Sequence, residues 1–364
     1  MNRRPTVAEQ LAKRGVSRRA FLKFCAAAAS LMALPPSMAP AIAEALGKRT
    51  RPSVIWLSFQ ECTGCTESLT RSHTPTIESL IFDMISLDYH HTLQAASGTA
   101  AEHAREQAMA EPGYLVLVDG SIPTKDGGIY STIAGMTNLQ MLKETLENAA
   151  AVVTIGTCAA YGGIPKADPN PTGAKSVQAL MDEGLVPRKP VINVPGCPPI
   201  PTVITGVLAH YLTFGEIPEL DHLGRPTMYF GDSIHDRCYR RPFYDQGKFA
   251  KTFDDEGARK GWCLFELGCK GPTTYNACAT AKWNNGTSFP IESGHGCIGC
   301  SEPDFWDAGS FYSALSMPTK PLDLAAGAVV AGVAIGAGVA FANRSKKSSA
   351  KAAHKATGLA DLEK

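Results

Sequence analysis

The stretch SVIWLSFQECTGCTESL, residues 53–69, sets an unbroken apolar run against two cysteines, Cys62 and Cys65, spaced as C-x-x-C. A short apolar run rich in Val, Ile and aromatic residues, stopped by a polar turn, fits a strand buried on both faces. The same phrase returns three times before about residue 225, as YLVLVDG at 114–120, AVVTIG at 151–156 and PVINVPG at 190–196. Helix-compatible segments separate these runs. Alternation of this kind predicts a doubly wound α/β domain around a parallel sheet.

Three of the four runs lead into cysteine: Cys62 and Cys65, Cys158 in GTCAAYGG, and Cys197 in PGCPP. In an open parallel sheet, ligands gather outside the carboxyl ends of the strands, so thiols distant in sequence converge there. Gly64, Gly156, Gly162, Gly163 and Gly196 let the backbone approach whatever is bound. Four converging thiolates suit either a zinc ion or an iron–sulfur cluster. Structural zinc usually draws on two paired knuckles, whereas one pair and two singletons on separate strand ends favour the cluster.

From about residue 226 to 315 the apolar runs fade, and Cys238, Cys263, Cys269, Cys278, Cys297 and Cys300 crowd into Gly-, Pro- and aromatic-rich sequence. So little regular apolar pattern cannot build a core by itself, and metal or disulfide crosslinks are expected to organise the region. Disulfide frameworks belong chiefly to small domains without a core, and the first domain has one.

The two ends read as addresses. SRRAFLKFCAAAASLMAL at 17–34 joins the arginine pair Arg18 and Arg19 to a short apolar stretch, the form of a twin-arginine export signal. Small-x-small sites at 41–43 and 43–45 place its removal near residue 45. Pro318 and Pro321 mark a linker at 316–321. LDLAAGAVVAGVAIGAGVAFA at 322–342 then matches the ~20 apolar residues of a transmembrane helix, with a buried Ala/Gly-rich helix as the alternative. The basic tail at 343–364, with Arg344, Lys346, Lys347 and Lys351, would stay in the cytoplasm, leaving the body on the periplasmic face of the inner membrane. A net charge of +1 over 364 residues gives no basic face and argues against nucleic acid as a partner.

Taken together, ECTGCTESL, GTCAAYGG, NPTGA, PGCPP, IHDRCYRRP, GWCLFELGCKGPTTYNAC and GHGCIGCSEPDFWD occur in an order that resembles the small, electron-transferring subunit of the nickel–iron hydrogenases. The resemblance implies a flavodoxin-like domain at 46–225 and an irregular cluster-binding domain at 226–315. It implies that Cys62, Cys65, Cys158 and Cys197 bind a proximal 4Fe-4S cluster, beside the nickel–iron centre of a separate large subunit. His235, Cys238, Cys263 and Cys269 would hold a distal 4Fe-4S cluster, and Cys278, Cys297 and Cys300 a medial 3Fe-4S cluster, with Pro290 where a fourth medial ligand might stand. Glu61 is expected to hydrogen-bond at the subunit interface. Arg237, Arg240 and Arg241 form either a solvated charge run or a docking patch for an acceptor. A membrane b-type cytochrome or another quinone-reducing integral membrane protein is the acceptor the resemblance implies. Oxygen-tolerant members of the family carry extra cysteines where Gly64 and Gly163 stand here, so the chain resembles the oxygen-sensitive type.

Two other readings are distinct. The related subunit of respiratory quinone reductases resembles the first domain, but carries adjacent cysteines and lacks the second cysteine region. A zinc-bound or disulfide-bonded envelope protein would contain no iron.

Overall fold

Seven strands are formed: β1 (Ser53–Ser58), β2 (Ser86–His90), β3 (Leu115–Asp119), β4 (Thr132–Ile133), β5 (Met136–Thr137), β6 (Ala151–Ile155) and β7 (Val191–Val194), in a computed structural model that describes residues 6–32, 34–309 and 311. Five make one parallel sheet in the order β2-β1-β3-β6-β7. The chain runs outward from β1 to β2 on one side and through β3, β6 and β7 on the other. The reversal opens a crevice outside the carboxyl ends of the central strands.

Alternate strand residues enter two separate cores. Val54, Trp56, Leu115, Leu117, Val153 and Ile155 face one, which also receives α2, α3 and α9; Ile55, Leu57, Val116, Val118 and Val152 face the other. Here α1 is Val7–Lys13, α2 Arg18–Leu31, α3 Ala39–Lys48, α4 Gly64–Thr70, α5 Thr99–Met109, α6 Asn138–Leu146, α7 Thr157–Tyr161, α8 Val177–Asp182 and α9 Pro201–Phe214. Helices α5, α6 and α8 supply Ala101, Ala108, Met141, Leu142, Val177 and Leu180 to the second core. Both faces are covered, which is why the strand runs are continuously apolar rather than alternating.

The first three helices pack on the body. Thr6 and Glu9 form a capping box for α1, and the Ser17 hydroxyl caps α2. Cys25, Ala28, Ala29, Met32, Ile42 and Leu46 are buried in the first core, while Arg18 and Arg19 stay exposed. An ion pair from Arg14 to the buried Asp83, at 2.8 Å, fastens the segment to the domain.

The expected fold class needs two corrections. The sheet content is mixed, because β4 and β5 form a separate antiparallel ribbon across Ala134 and Gly135, whose φ of 52° and 79° are those of a tight hairpin turn. Among the described residues no helix is long and apolar enough to cross a membrane. The 14-residue helices α2 and α9 fall short of the ~20 apolar residues that a span requires. The expected transmembrane helix, and the anchoring at the periplasmic face of the inner membrane that depended on it, are therefore withdrawn; the segment 322–342 on which they were placed lies outside the described residues. Strand β2 was also not foreseen. Its sequence, SLDYH, buries only its last two residues, so it lacks the unbroken apolar run that marked its neighbours.

Beyond α9 the described chain turns to short helices and loops. The α/β part and the cysteine-dense part pack as one compact unit, Met1–Ala314.

Candidate functional site

The loops after β1, β6 and β7 bring the first four cysteines together. Thr63, at φ 65°, turns the chain left-handed and starts α4, which carries Cys65 inward while Cys62 stays exposed. Cys158 follows from the first turn of α7 and Cys197 from the loop after β7. Burial raises the Cys65 thiol far above its usual pKa, and the charges of Asp119, Cys158, Cys197 and Cys62 add to the effect. All four thiols therefore sense one another. Two glycines show how tightly the backbone wraps this space: a Cβ on Gly156 would stand 2.5 Å from Cys65 Sγ, and one on Gly163 2.7 Å from Cys158 Sγ. Both lie at positive φ, 88° and 57°, so glycine is required twice over.

His235, Cys238, Cys263 and Cys269 line one small pocket in the cysteine-dense part. A turn closed by the Cys238 N–H to the His235 carbonyl, 3.2 Å, sets the first two side by side. The imidazole packs edge-on against Tyr244, centroids 4.5 Å apart. Burial, and next the Arg241 charge, lower its pKa and keep it neutral, the form that ligates metals.

Cys278, Cys297 and Cys300 line a second cavity of about 250 Å³, together with Pro290 and Cys197. Its walls are mostly apolar side chains such as Phe289 and Ile291. Pro290 offers no donor, so this set has three thiols.

The three sets are contiguous. Cys197, in the first set, lines the same cavity as Cys278, Cys297 and Cys300. The Cys297 N–H donates to Cys269 Sγ at 3.3 Å, joining the cavity to the His235 pocket. The set with three thiols therefore stands between the other two.

All eleven cysteines lie among the described residues and all are free thiols. Burial, before any other cause, pushes Cys158 up to about 11 and Cys197, Cys263 and Cys297 to about 12, so these thiols keep their protons unless a positive centre stands beside them. Among the described residues no three His, Cys, Asp or Glu side chains are placed to hold a single metal ion. Sulfur donors dominate all three sets, a chemistry that suits iron and zinc alike.

Asp119 and Arg225, which the sequence reading passed over, stand beside residues it named. Asp119, at the end of β3, is fully buried, accepts from Thr66 Oγ1 at 3.4 Å, and is pushed up to about 7 by burial, with the Glu61 charge adding to it. Burial likewise raises Glu61, whose Oε1 accepts from Thr63 Oγ1 at 3.2 Å while Oε2 has no hydrogen-bond partner among the described residues. Arg225 is buried where the two parts meet, paired with Asp221 at 2.7 Å and Glu302 at 2.9 Å. The arginine run also divides: Arg237 and Arg241 are exposed, but Arg240 is buried and donates to the Trp262 carbonyl at 2.8 Å. Only a motif with its own spacing, such as C-x-x-C, could have shown Asp119 and Arg225 in advance, and neither carries one.

Known proteins divide the chain at the same place. Residues 230–313 match the family described as the C-terminal part of the NiFe/NiFeSe hydrogenase small subunit. Residues 62–211 match the NADH ubiquinone oxidoreductase 20 Kd subunit family. The chain is 46% identical over 345 residues to an uptake hydrogenase small subunit of Azotobacter vinelandii, covering 94% of this chain and 95% of that one. It is 52% identical over 307 residues to the periplasmic [NiFe] hydrogenase small subunit 1 of Nitratidesulfovibrio vulgaris, covering 84% and 95%. Its fold matches a chain of the reduced, active Ni-Fe-Se hydrogenase of Desulfomicrobium baculatum with a TM-score of 0.67 and 39% identity, over 73% of this chain and all of that one. The quinone-reductase match stops before the second cysteine region, whereas these relatives span both. The chain belongs to the small subunits of the nickel–iron hydrogenases, the electron-transferring partners of a separate large subunit that carries out catalysis.

Proposed function

We propose that the three cysteine sets hold three iron–sulfur clusters, which relay electrons from dihydrogen oxidation at the large subunit's nickel–iron centre, H2 to two protons and two electrons. In this reading Cys62, Cys65, Cys158 and Cys197 bind a proximal 4Fe-4S cluster. His235, Cys238, Cys263 and Cys269 bind a distal 4Fe-4S cluster, and Cys278, Cys297 and Cys300 a medial 3Fe-4S cluster beside Pro290. Bound clusters supply one-electron carriers whose potentials follow cluster type, charge, hydrogen bonding and exposure. The observation that carries the reading is the contiguity of the sets, Cys197 in one cavity with Cys300 and Cys269 against Cys297.

The protein's own part is to space, insulate and orient. Apolar walls around Cys278 and Cys297 keep water from the middle of the path. At one end, exposed Cys62 and the unpartnered Glu61 Oε2 mark the face for the large subunit. At the other, the neutral His235 imidazole in place of a thiolate raises the potential of the last carrier. Exposed Arg237 and Arg241 beside it suit an electron acceptor, with a membrane b-type cytochrome or another quinone-reducing protein as the class. The relatives named uptake hydrogenase favour hydrogen oxidation as the direction of flow. Arg18 and Arg19, exposed in the first turn of α2, keep the role of an export signal.

The test is iron, acid-labile sulfide and electron paramagnetic resonance on the purified heterodimer. Two four-iron clusters and a three-iron signal in the oxidised protein are expected; zinc in their place, or no iron, overturns the reading.

A further inference from the structure

The turn that carries Cys158 also holds a hydroxyl that no ligand set uses. Thr157 is 1% exposed. Its Oγ1 donates to the Cys300 carbonyl oxygen and accepts from the Gly196 N–H at 2.9 Å, while its own N–H donates to the Gly196 carbonyl at 2.9 Å. One side chain thus ties together three segments, each with a cysteine: Cys158 next to it, Cys197 next to Gly196, and Cys300 itself. The Cys300 segment is held from other sides too. Glu302, two residues on, accepts from Arg225 at 2.9 Å and from the Tyr275 N–H at 2.6 Å.

We infer that Thr157 is a positioning residue of the electron relay: its hydroxyl fixes the medial ligand Cys300 against the proximal turn and thereby sets the coupling between the two clusters. This rests on the cluster reading proposed above. Three features carry it. The hydroxyl is the one side-chain group bonded to both the proximal and the medial segment among the hydrogen bonds described. Its surroundings are dry, so a lost partner there is not replaced by water. The bond ends on the backbone of a ligand residue, where a displacement moves the ligand itself. A methyl group in place of the hydroxyl would keep the shape of Thr157 and leave both the Cys300 carbonyl and the Gly196 N–H without this partner.

The experiment compares wild type, Thr157→Val and Thr157→Ser in the heterodimer purified without oxygen. Wild type lacking iron would overturn the cluster reading and this inference with it. With iron present, Thr157→Val is expected to lose iron to a ferrous chelator about tenfold faster, a factor equivalent to about 1.4 kcal/mol. It should also alter the paramagnetic line shape of the medial cluster and shift its midpoint potential, while Thr157→Ser restores all three. A valine variant that fails to load clusters, beside a serine variant that loads normally, supports the hydroxyl equally. A valine variant identical to wild type, or a serine variant as damaged as valine, overturns the inference, because packing rather than hydrogen bonding would then be the role of Thr157.

Discussion

Strands β1, β3 and β6 bury every residue they contain, whereas between Arg241 and Ala281 no helix exceeds five residues and the buried groups include Cys263, Cys269, Cys278 and Lys270. The first part is stabilised by apolar area removed from water on both faces of a sheet. The second adds Phe230, Ile234, Leu264, Phe289 and Ile291 to the first core, with Cys269, Cys278 and Cys297 among them. On the cluster reading proposed above, one half folds on its own side chains and the other draws added stability from what its cysteines bind. Stripping the iron from the purified protein is the strongest way to break that comparison. Amide exchange across 231–309 should rise toward that of an unfolded segment while β1, β3 and β6 stay protected. Equal loss in both halves would show that the α/β part depends on the clusters as well.

The seam between the halves gives the next effect in size. Arg225 is 2% exposed, pairs with Asp221 and with Glu302 across the seam, and lies over the rings of Phe230 and Tyr275 at 5.6 and 5.5 Å. Removing one partner of a buried pair leaves the others uncompensated, which costs about 3–5 kcal/mol. Arg225→Met is expected to lower stability by that amount in urea unfolding, and to loosen residues near Tyr275 and Glu302 before the sheet. A change under about 1 kcal/mol, the size typical of a surface pair, would mean that the seam is held by packing alone.

This contrast also explains what could be read in advance. β1, β3, β6 and β7 were legible because full or nearly full burial writes itself as an apolar run, and the candidate cysteines because cysteine is rare and its spacing specific. β2 was not, since an edge strand half open to solvent leaves SLDYH without a clear period. The segment up to residue 45 was read as a removable address; nothing in an Ala-rich stretch says that Cys25, Ala28 and Ile42 will join the core that holds Trp56 and α9. Thr157, Asp119 and Arg225 act through contacts with residues up to 143 positions away, and a local pattern cannot carry such information. Arg240 shows the same limit: three arginines look alike in RCYRR, yet one is a buried strut.

Acid separates the halves more gently. His90, at the end of β2, is fully buried, and its Nδ1 accepts from the N–H groups of Thr92 and Leu93 at 3.0 and 3.3 Å. Burial, then the nearby His91, lowers its pKa from 6.5 to about 4. A histidine depressed in the folded state takes up protons more readily when unfolded. Stability is therefore full above about pH 6.5 and falls as pH drops toward 4, by about 3 kcal/mol in total. The thermal midpoint of wild type should fall over this range more steeply than that of His90→Gln, and exchange in β2 should report it first. Parallel curves for the two proteins would remove His90 as the cause.

The smallest effect tests the surface beside His235. Arg237 is 59% exposed and pairs with Asp232 at 2.7 Å, whereas Arg240, 6% exposed, donates to Trp262 O and Tyr239 Oη and lies over the Tyr239 ring. An exposed ion pair contributes about 0.2–1 kcal/mol, so Arg237→Gln should shift the unfolding midpoint little, and Arg240→Gln considerably more. Function should reverse that order. If Arg237 meets the acceptor, its loss slows electron delivery at low ionic strength and the deficit vanishes as salt screens the surface, because rim charges act on encounter rates over about a Debye length, ~10 Å at 0.1 M salt. A deficit that persists in high salt would point instead to a distorted His235 turn. No deficit at either salt would place the acceptor on another face, and the charge run would then be solvation only.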